Sequence, residues 1–214
     1  MATVQNLLDA CMVRYQDPDK TDWGDTELLA YCQDAVEYIH QLLINRNDIS
    51  VTKSGTITTA DGTGTYALAD NEMSDFVAMY RGAKERESGV WIDDNFLFPV
   101  RQTESVHYDS DNKGKPLYYY LTSTHIGFLP VPDDEYTVSL LYFPKQDALL
   151  LDSTMPFNDV FNVAIKKFID SMASARAEQD ISSITQFYNE LERQALGVTS
   201  ARTPIKPRMV NRRR

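Results

Sequence analysis

The sequence predicts an α+β protein: a four-helix bundle formed from both ends of the chain, an inserted antiparallel β region and a flexible C-terminal arm. Apolar residues recur at helical spacing in the first 48 residues and again after Pro156, whereas short runs typical of strands lie between them. The last 18 residues have no apolar period and six positive charges, so alone they are expected to be disordered. The predicted boundaries are residues 1–48 and 153–196 for the bundle, 49–152 for the β region and 197–214 for the arm.

Two helices are predicted before residue 49. Asp17-Pro18 ends the first, because the residue before proline avoids the α region. Asp25 is the expected N-cap of the second, with Glu27 near the positive end of its dipole. Both cysteines fall on the apolar seams, where we expect them to pack as small hydrophobes, and His40 is expected at the bundle margin. The seams are Val4, Leu8, Cys11 and Tyr15 in the first helix, and Leu29, Cys32, Val36, Ile39 and Leu43 in the second.

The β region contains eight short strand candidates and one turn with a strong signal. Asp61-Gly62 lies between the first two strands and favours a type I′ hairpin, which needs positive φ at both central residues. Alternation in the last strand predicts one buried face, and residues 103–107 are predicted as a single helical turn. The predicted strands are residues 56–59, 65–68, 76–79, 90–92, 96–101, 117–121, 126–129 and 136–142.

The helical period returns after Pro156, where two further helices are predicted. Asp180 is the expected cap of the last helix and Gly197 is placed to end it. The seams are Phe161, Ile165, Phe168, Met172 and Ala175 in the third helix, and Ile181, Ile184, Tyr188, Leu191 and Ala195 in the fourth.

Charge divides the chain into an acidic body and a basic arm. Residues 1–196 hold all 31 Asp and Glu but 15 Lys and Arg, a net charge of −16, whereas residues 197–214 carry +6. An acidic body repels duplex nucleic acid, so any such binding is confined to the arm. No apolar run reaches the roughly 20 residues of a membrane span, and no signal peptide is recognisable at the N-terminus.

Patterns of catalysis and cofactor binding are absent from the sequence. The three histidines are scattered, without the spacing of a metal site. Asp109 to Gly114 partly resembles a calcium loop, but Lys113 and Tyr120 occupy its fifth and twelfth positions, where oxygen ligands are needed. No carboxylate pair stands out from the others. We therefore predict no catalytic residue, no metal and no cofactor, and a protein that is not an enzyme.

Tyrosine is abundant, with twelve in all and three in succession at residues 118–120. One interpretation is strand propensity with one wet face. The other is an interface, since tyrosine offers a large contact area at low entropic cost.

Several segments in a fixed order carry a family resemblance. They are Asp17, Trp23 ahead of Thr26-Glu27-Leu28-Leu29, Tyr66-Ala67-Leu68, Pro116 to Tyr120, Ile126 to Pro132, Tyr136 to Tyr142 and Leu149 to Asp152. Together with the late helical pair, this series resembles the head-to-tail adaptor, or head-completion, proteins of tailed bacteriophages.

The resemblance implies a structural virion protein at the head–tail junction, present in the host cytoplasm during assembly. Such proteins form a ring, typically of twelve subunits, beneath the portal, extend the DNA channel and provide the surface for tail attachment. The implied partners are the portal protein, other copies of the chain, a downstream tail or nozzle protein, and genomic DNA that passes without specific binding. No membrane is involved.

In that family a C-terminal extension docks on the portal, so the resemblance places portal binding in the basic arm. We expect Arg202, Lys206 and Arg208 to contact acidic groups or helix C-termini of the portal. Pro204 and Pro207 would hold the segment extended, and the terminal arginines contact DNA or remain solvated. The expected arm residues are Arg202, Pro204, Ile205, Lys206, Pro207, Arg208, Arg212, Arg213 and Arg214.

Two functions from other classes remain open at this point. A virion-associated peptidoglycan hydrolase requires two carboxylates a fixed distance apart in a cleft. A nucleic-acid-binding protein acting through the basic arm requires strongly salt-dependent retention on DNA.

Overall fold

The computed structural model describes two compact units of the chain. One is built from residues 1–46 and 146–214 and is called the helical unit; the other, the β unit, comprises residues 47–145. The β unit is therefore inserted in sequence between the two parts of the helical unit. The residues that the structure describes are 3–15, 24–82, 88–103, 112–157, 160–178, 188–189 and 192–193.

The helical unit contains three described helices, α1 (Val4–Tyr15), α2 (Asp25–Asn45) and α3 (Val160–Glu178), each in contact with the other two. Their apolar faces meet in a common core, as the helical spacing predicts. The buried residues are Val4, Leu7, Leu8, Cys11 and Met12 on α1, Leu28, Cys32, Ala35, Val36, Ile39, His40 and Leu43 on α2, and Phe161, Ala164, Ile165, Phe168, Ile169 and Ala173 on α3.

The predicted four-helix bundle is not supported, because the described residues contain three helices that pack against one another. The expected fourth helix, residues 181–195 with Asp180 and Gly197, lies outside the described residues except for two short pieces. These pieces, residues 188–189 and 192–193, are helical.

The start of α2 differs from the prediction in two details. Gly24 is the N-cap, and Asp25 and Glu27 lie inside the first turn, where their charge faces the positive end of the helix dipole. Leu28 is fully buried, whereas Leu29 is half-buried. The buried face of α2 is wide and centred one residue earlier than the predicted seam at this end.

Nine strands form two sheets in the described part of the β unit. In one sheet the order is β1-β9-β4-β5, with β3 also paired to β9; in the other it is β2-β8-β7-β6. All pairs are antiparallel except β6 with β7. The strands are β1 (Lys53–Thr58), β2 (Thr65–Ala67), β3 (Phe76–Met79), β4 (Val90–Ile92), β5 (Asn95–Phe96), β6 (Phe98–Pro99), β7 (Tyr118–Leu121), β8 (His125–Leu129) and β9 (Thr137–Pro144).

Strand β9 is the centre of the first sheet and contributes heavily to the core. Val138, Leu140 and Tyr142 are buried, which confirms the predicted buried face. Side chains from both sheets share one apolar cluster, as in a sandwich of two sheets. It comprises Ile57, Leu68, Met73, Met79, Val90, Ile92, Leu97, Tyr119, Ile126, Phe128, Val138, Leu140 and Tyr142.

The predicted hairpin between β1 and β2 is wrong. β1 pairs with β9, with Ile57 opposite Val138, and β2 pairs with β8 in the other sheet. Among residues of the turn only Gly62 has a positive φ, of 75°, so the turn is not type I′. The Asp61-Gly62 turn instead carries the chain from one sheet to the other.

The predicted strand over residues 96–101 is also wrong in its continuity. It contains Phe96, the last residue of β5, and the whole of β6, and these two strands belong to different sheets. The predicted helical turn at residues 103–107 lies outside the described residues, except for Thr103. Within the described chain, no helix combines the length and the apolar character needed to cross a membrane.

Candidate partner-binding surface

The arm residues expected to bind a partner lie outside the described residues. They are Arg202, Pro204, Ile205, Lys206, Pro207, Arg208, Arg212, Arg213 and Arg214. The β unit presents the described surface on which exposed apolar and charged groups lie together.

The chain crosses from the edge of one sheet to the edge of the other between β5 and β6. Only Leu97 separates these strands, and it is buried in the shared core at 1% exposure. Since successive side chains of an extended chain point to opposite sides, Phe96 and Phe98 must face outward. They are 41% and 44% exposed. Two aromatic rings are therefore fixed on the outside of the β unit by the burial of the residue between them.

An open cleft of about 410 Å³ lies beside the β4–β5 hairpin. Trp91 and Phe96 meet edge to face on it, with ring centroids 6.4 Å apart, and Ile49 is 57% exposed. The hairpin turn, Asp93-Asp94, adds two carboxylates to its rim, and Asp93 adopts a positive φ of 54°, which aspartate tolerates. The cleft is lined by Ile49, Tyr80, Gly82, Ser88, Trp91, Asp93, Asp94, Phe96 and Leu141. Exposed aromatic groups with a charged rim are typical of a protein-binding surface.

Apolar surface continues from β6 onto β7. The Phe98 and Tyr118 rings lie 6.4 Å apart, the Phe98 N–H donates to the Leu117 carbonyl at 3.0 Å, and Leu117 is 57% exposed. We call the group of Phe96, Phe98, Leu117 and Tyr118 the edge patch. Contiguous exposed apolar groups of this kind mark interaction sites more often than scattered ones do.

The three consecutive tyrosines have different surroundings. Tyr119 is buried in the core, and burial raises its pKa to about 12. The ring of Tyr120 covers Gly127 on the opposite strand so closely that a Cβ there would collide with the ring. Tyr118 belongs to the edge patch. The strand interpretation therefore describes Tyr119 and Tyr120, and the interface interpretation fits Tyr118.

Lysines of the β unit are held by aspartates. Lys113 pairs with Asp61 at 2.8 Å and Lys115 with Asp93 at 2.9 Å. Residues 47–145 contain 8 Lys and Arg against 15 Asp and Glu, and residues 133–135 form an exposed acidic loop. These features leave the unit with an excess of negative charge and disfavour binding to phosphates.

A third ion pair is part of a polar contact that joins three strands of the first sheet. Lys53 donates to Asp75 at 2.9 Å, and the hydroxyl of Tyr142 donates to the same carboxylate at 2.8 Å. Partial burial raises the pKa of Asp75, but the hydrogen bonds from Lys53 and Tyr142 outweigh it and lower the pKa below its usual value. The Tyr142 ring also stacks on Phe76, with centroids 5.7 Å apart. The carboxylate therefore fastens β1 and the start of β3 to β9.

Three titratable groups of the helical unit, Cys11, Cys32 and His40, are buried. Cys11 and Cys32 are buried free thiols, as predicted, and burial, with a smaller effect of Cys11, raises the pKa of Cys32 to about 12. A thiol protonated at neutral pH is a poor nucleophile. His40 is 4% exposed, so its predicted marginal position is wrong: the wide buried face of α2 includes it. Its ring lies 6.5 Å from that of Phe157, and burial lowers its pKa.

In the parts of the chain that the structure describes, no group of three or more His, Cys, Asp and Glu residues could hold a metal ion. Asp109 to Asp111, the acidic part of the calcium-like segment, lies outside the described residues. Lys113, which follows it, is paired with Asp61.

Sequence reasoning missed the edge patch and the cleft. The signal was Phe96-Leu97-Phe98, in which three large apolar residues follow one another in an extended segment. An extended chain cannot bury all three on one side, so at least one must face outward or toward a second layer.

Comparison with known protein families matches residues 2–211 to a family described as SU10 adaptor protein. The match spans nearly the whole chain, including both units and the arm as far as Asn211. Comparison with curated proteins finds no significant match.

Proposed function

The chain belongs to the SU10 adaptor protein family, and from this premise we propose that it forms a ring beneath the portal of a bacteriophage capsid. A phage adaptor is a structural component of the virion and acts between portal and tail proteins. The proposed ring, of twelve copies, extends the DNA channel and offers the surface on which the next tail or nozzle protein assembles. Catalysis has no part in this role.

The observation that carries the proposal is the extent of the family match. It includes residues 2–211 and so takes in the acidic body and Arg202, Lys206 and Arg208 of the arm. The final three arginines, residues 212–214, lie beyond it. The match therefore includes most of the arm, which supports a role for the arm within the adaptor.

Charge supports the proposed DNA channel. The β unit has nearly twice as many acidic as basic residues, and its described ion pairs occupy Lys53, Lys113 and Lys115. A wall of the same sign as DNA keeps the duplex from adhering while it moves. DNA therefore passes without specific binding.

The edge patch supports contact with other proteins of the junction. Phe98 and Leu117 are 44% and 57% exposed, and aromatic residues are enriched in the centres of protein interfaces. Such a patch suits either a neighbouring copy in the ring or the next tail protein.

The arm is proposed to bind the portal through charge-assisted hydrogen bonds. Arg202, Lys206 and Arg208 would meet acidic groups or helix C-termini of the portal. Pro204 and Pro207 restrict the unbound segment and so reduce the entropy lost on docking.

Native mass measurement of the chain mixed with its portal ring tests the proposal. The complex should exceed the portal alone by about 290 kDa, twelve times the 24.4 kDa chain. A variant with R202Q, K206Q and R208Q should not bind. The matched control, with R212Q, R213Q and R214Q, removes the same charge and should bind normally.

Two results would contradict parts of the proposal. Absence of any portal complex with the unmodified chain rejects the adaptor ring. Equal loss of binding in the two triple variants rejects a specific role for the first three cations and leaves only a general effect of charge. The hydrolase and the nucleic-acid-binding protein considered from the sequence are not favoured by the family match.

A further inference from the structure

The cleft beside the β4–β5 hairpin combines three properties that together define what fits it. Its walls are aromatic and apolar, with Trp91 and Phe96 in edge-to-face contact. Its rim carries the exposed carboxylates of Asp93 and Asp94. Asp94 lies in the turn of the hairpin and is exposed, so a partner can reach its carboxylate.

We propose that this cleft binds the C-terminal arm, residues 197–214, of a second copy of the chain. The contact is distinct from portal docking and requires no portal. The arm thereby has a binding site on the protein itself, and the portal competes with this site for the arm.

The arm and the rim of the cleft carry charges of opposite sign. The arm has six cations and no acid, whereas the rim of the cleft presents two carboxylates. Asp93 already pairs with Lys115 at 2.9 Å, but both side chains are largely exposed, at 74% and 42%. An ion pair so exposed is weak, and an arginine that binds a carboxylate through two parallel hydrogen bonds can replace it.

The sequence of the arm supplies the second argument. Pro204-Ile205-Lys206-Pro207 places prolines three residues apart, and Arg208 follows directly. Such a segment favours the polyproline II conformation, in which two prolines share one side of the helix. Proline-rich segments of this kind dock in grooves lined by aromatic rings. Tyr80, Trp91 and Phe96 provide the rings, and the adjacent carboxylates are placed to receive Arg208.

The length of the arm permits binding to another copy. After Arg193, the last described residue, 21 residues remain, which in the polyproline II conformation span about 65 Å. A compact unit of about 100 residues, such as the β unit, has a radius of gyration of about 13 Å. Exchange of an identical segment between copies is a common route to self-association, and the arm can therefore link neighbouring copies.

Photo-crosslinking of the full chain tests the proposal. Thr203, which precedes the proline segment, is replaced by benzoylphenylalanine, and equal amounts of ¹⁵N-labelled and unlabelled protein are mixed without portal. Mass spectrometry of the digest should show crosslinks from residue 203 to residues 88–96. Pairs of one labelled and one unlabelled peptide should be as frequent as random mixing of copies allows.

Matched charge variants identify the cleft as the site. D93N with D94N should lower the crosslink yield about threefold or more, because it removes both rim carboxylates. D133N with D134N removes the same charge from the exposed loop of the same unit and should leave the yield unchanged. Asparagine also tolerates the positive φ of residue 93, so the hairpin is retained.

A competing peptide provides a second measurement. Free peptide of residues 197–214 should suppress the crosslink, and the same peptide with P204A and P207A should suppress it less at equal concentration.

Three outcomes would overturn the proposal. Crosslinks only between peptides of the same label would show binding within one chain. Equal loss in both acidic variants would show non-specific attraction. Crosslinks that map away from residues 88–96 would place the arm elsewhere. None of these depends on whether the protein binds a portal, so the two proposals fail separately.

Discussion

The buried ionisable groups of the helical unit and the Asp75 contact of the β unit show two different ways of setting a pKa. In the helical unit, burial lowers the pKa of His40 and raises that of Cys32, so both groups are kept neutral. In the β unit, Lys53 and Tyr142 hold Asp75 in its charged form near the surface. Burial keeps the helical pair neutral, as it does Tyr119 in the β unit, whereas hydrogen bonds keep the Asp75 carboxylate charged. Substitutions that alter packing and substitutions that alter charge should therefore affect the stability of the two units differently.

Removal of a core aromatic ring has the largest expected effect. F168A in the helical core should cost about 3–5 kcal/mol of unfolding free energy, and F128A in the β core a similar amount. Both side chains are at most 1% exposed. Urea unfolding is followed by far-ultraviolet circular dichroism for the helices and by Trp91 fluorescence, in a W23F background, for the β unit.

That pair of variants decides whether the two units unfold independently. If they do, F168A shifts only the dichroism transition and F128A only the fluorescence transition. Coincident shifts of both signals in both variants would show one cooperative unit and remove the distinction between the two regions.

Loss of the Asp75 carboxylate has an intermediate effect. D75N leaves Lys53 without its counter-charge and weakens the bond from Tyr142, so we expect a loss of about 1–2 kcal/mol in the β unit. D133N is the control, because Asp133 accepts a similar tyrosine hydrogen bond at 2.8 Å from Tyr136 in an exposed loop. Its cost should stay below about 0.5 kcal/mol. Equal costs would mean that the position of Asp75 among three strands is unimportant.

The pH dependence of stability should differ between the units. The effect near neutrality belongs to His40 of the helical unit and should be smaller than the effects of the substitutions above. The pKa of His40 is lowered on folding from 6.5, so the unfolded chain binds the proton first and stability falls as pH decreases through 6.5. The slope is at most about 1.4 kcal/mol per pH unit. H40Q should remove this dependence, and H125Q, at an exposed strand position, should retain it.

Asp75 acts in a lower range. Its folded pKa lies below 3.8, so its contribution is complete above that value and is lost as the pH falls through the folded pKa. Unfolding measured by fluorescence between pH 5 and 2 should therefore be less steep in D75N. A steep loss in the β unit near pH 6 would contradict the division of roles.

Substitution of the edge patch should have the smallest effect on stability. F98S with L117S changes side chains that are 44% and 57% exposed, so the unfolding free energy should change by roughly 0.5 kcal/mol. Assembly with the portal or tail, followed by native mass measurement, should nevertheless be impaired. Normal assembly would show that the patch is not an interface.

The two regions also differ in how far the sequence predicts them. Helical spacing is a local property, so the seam from Cys32 to Leu43 could be read directly. Strand pairing is not local: β1 and β9 are about 80 residues apart, with Thr58 opposite Thr137. Asp61-Gly62 indicates a turn both in a hairpin and in a connection between two sheets. Nothing within the turn indicates that the strands on either side of it belong to different sheets.

The candidate surface was predictable only in part. The basic arm is evident from charge, since its six cations lie close together in sequence with no acid among them. The cleft is assembled from residues as distant as Ile49 and Leu141, so its existence depends on strand order. Phe96-Leu97-Phe98 carried a local signal of outward-facing rings, but their partner Trp91 became evident only through the β4–β5 pairing.

The central position of β9 has a consequence for synthesis on the ribosome. β1 cannot pair with β9 until synthesis has passed residue 137, where β9 begins. In the same way, α1 and α2 cannot pack against α3 until synthesis has passed residue 160, where α3 begins. Chains grow at about 5–20 residues per second, so both units stay incomplete for several seconds after their first elements emerge. A chain released before residue 137 has neither a closed helical core nor the central strand of its first sheet. Such a fragment exposes unpaired strand edges, and the two units are completed only after residues 137–144 and 160–178 have been synthesised.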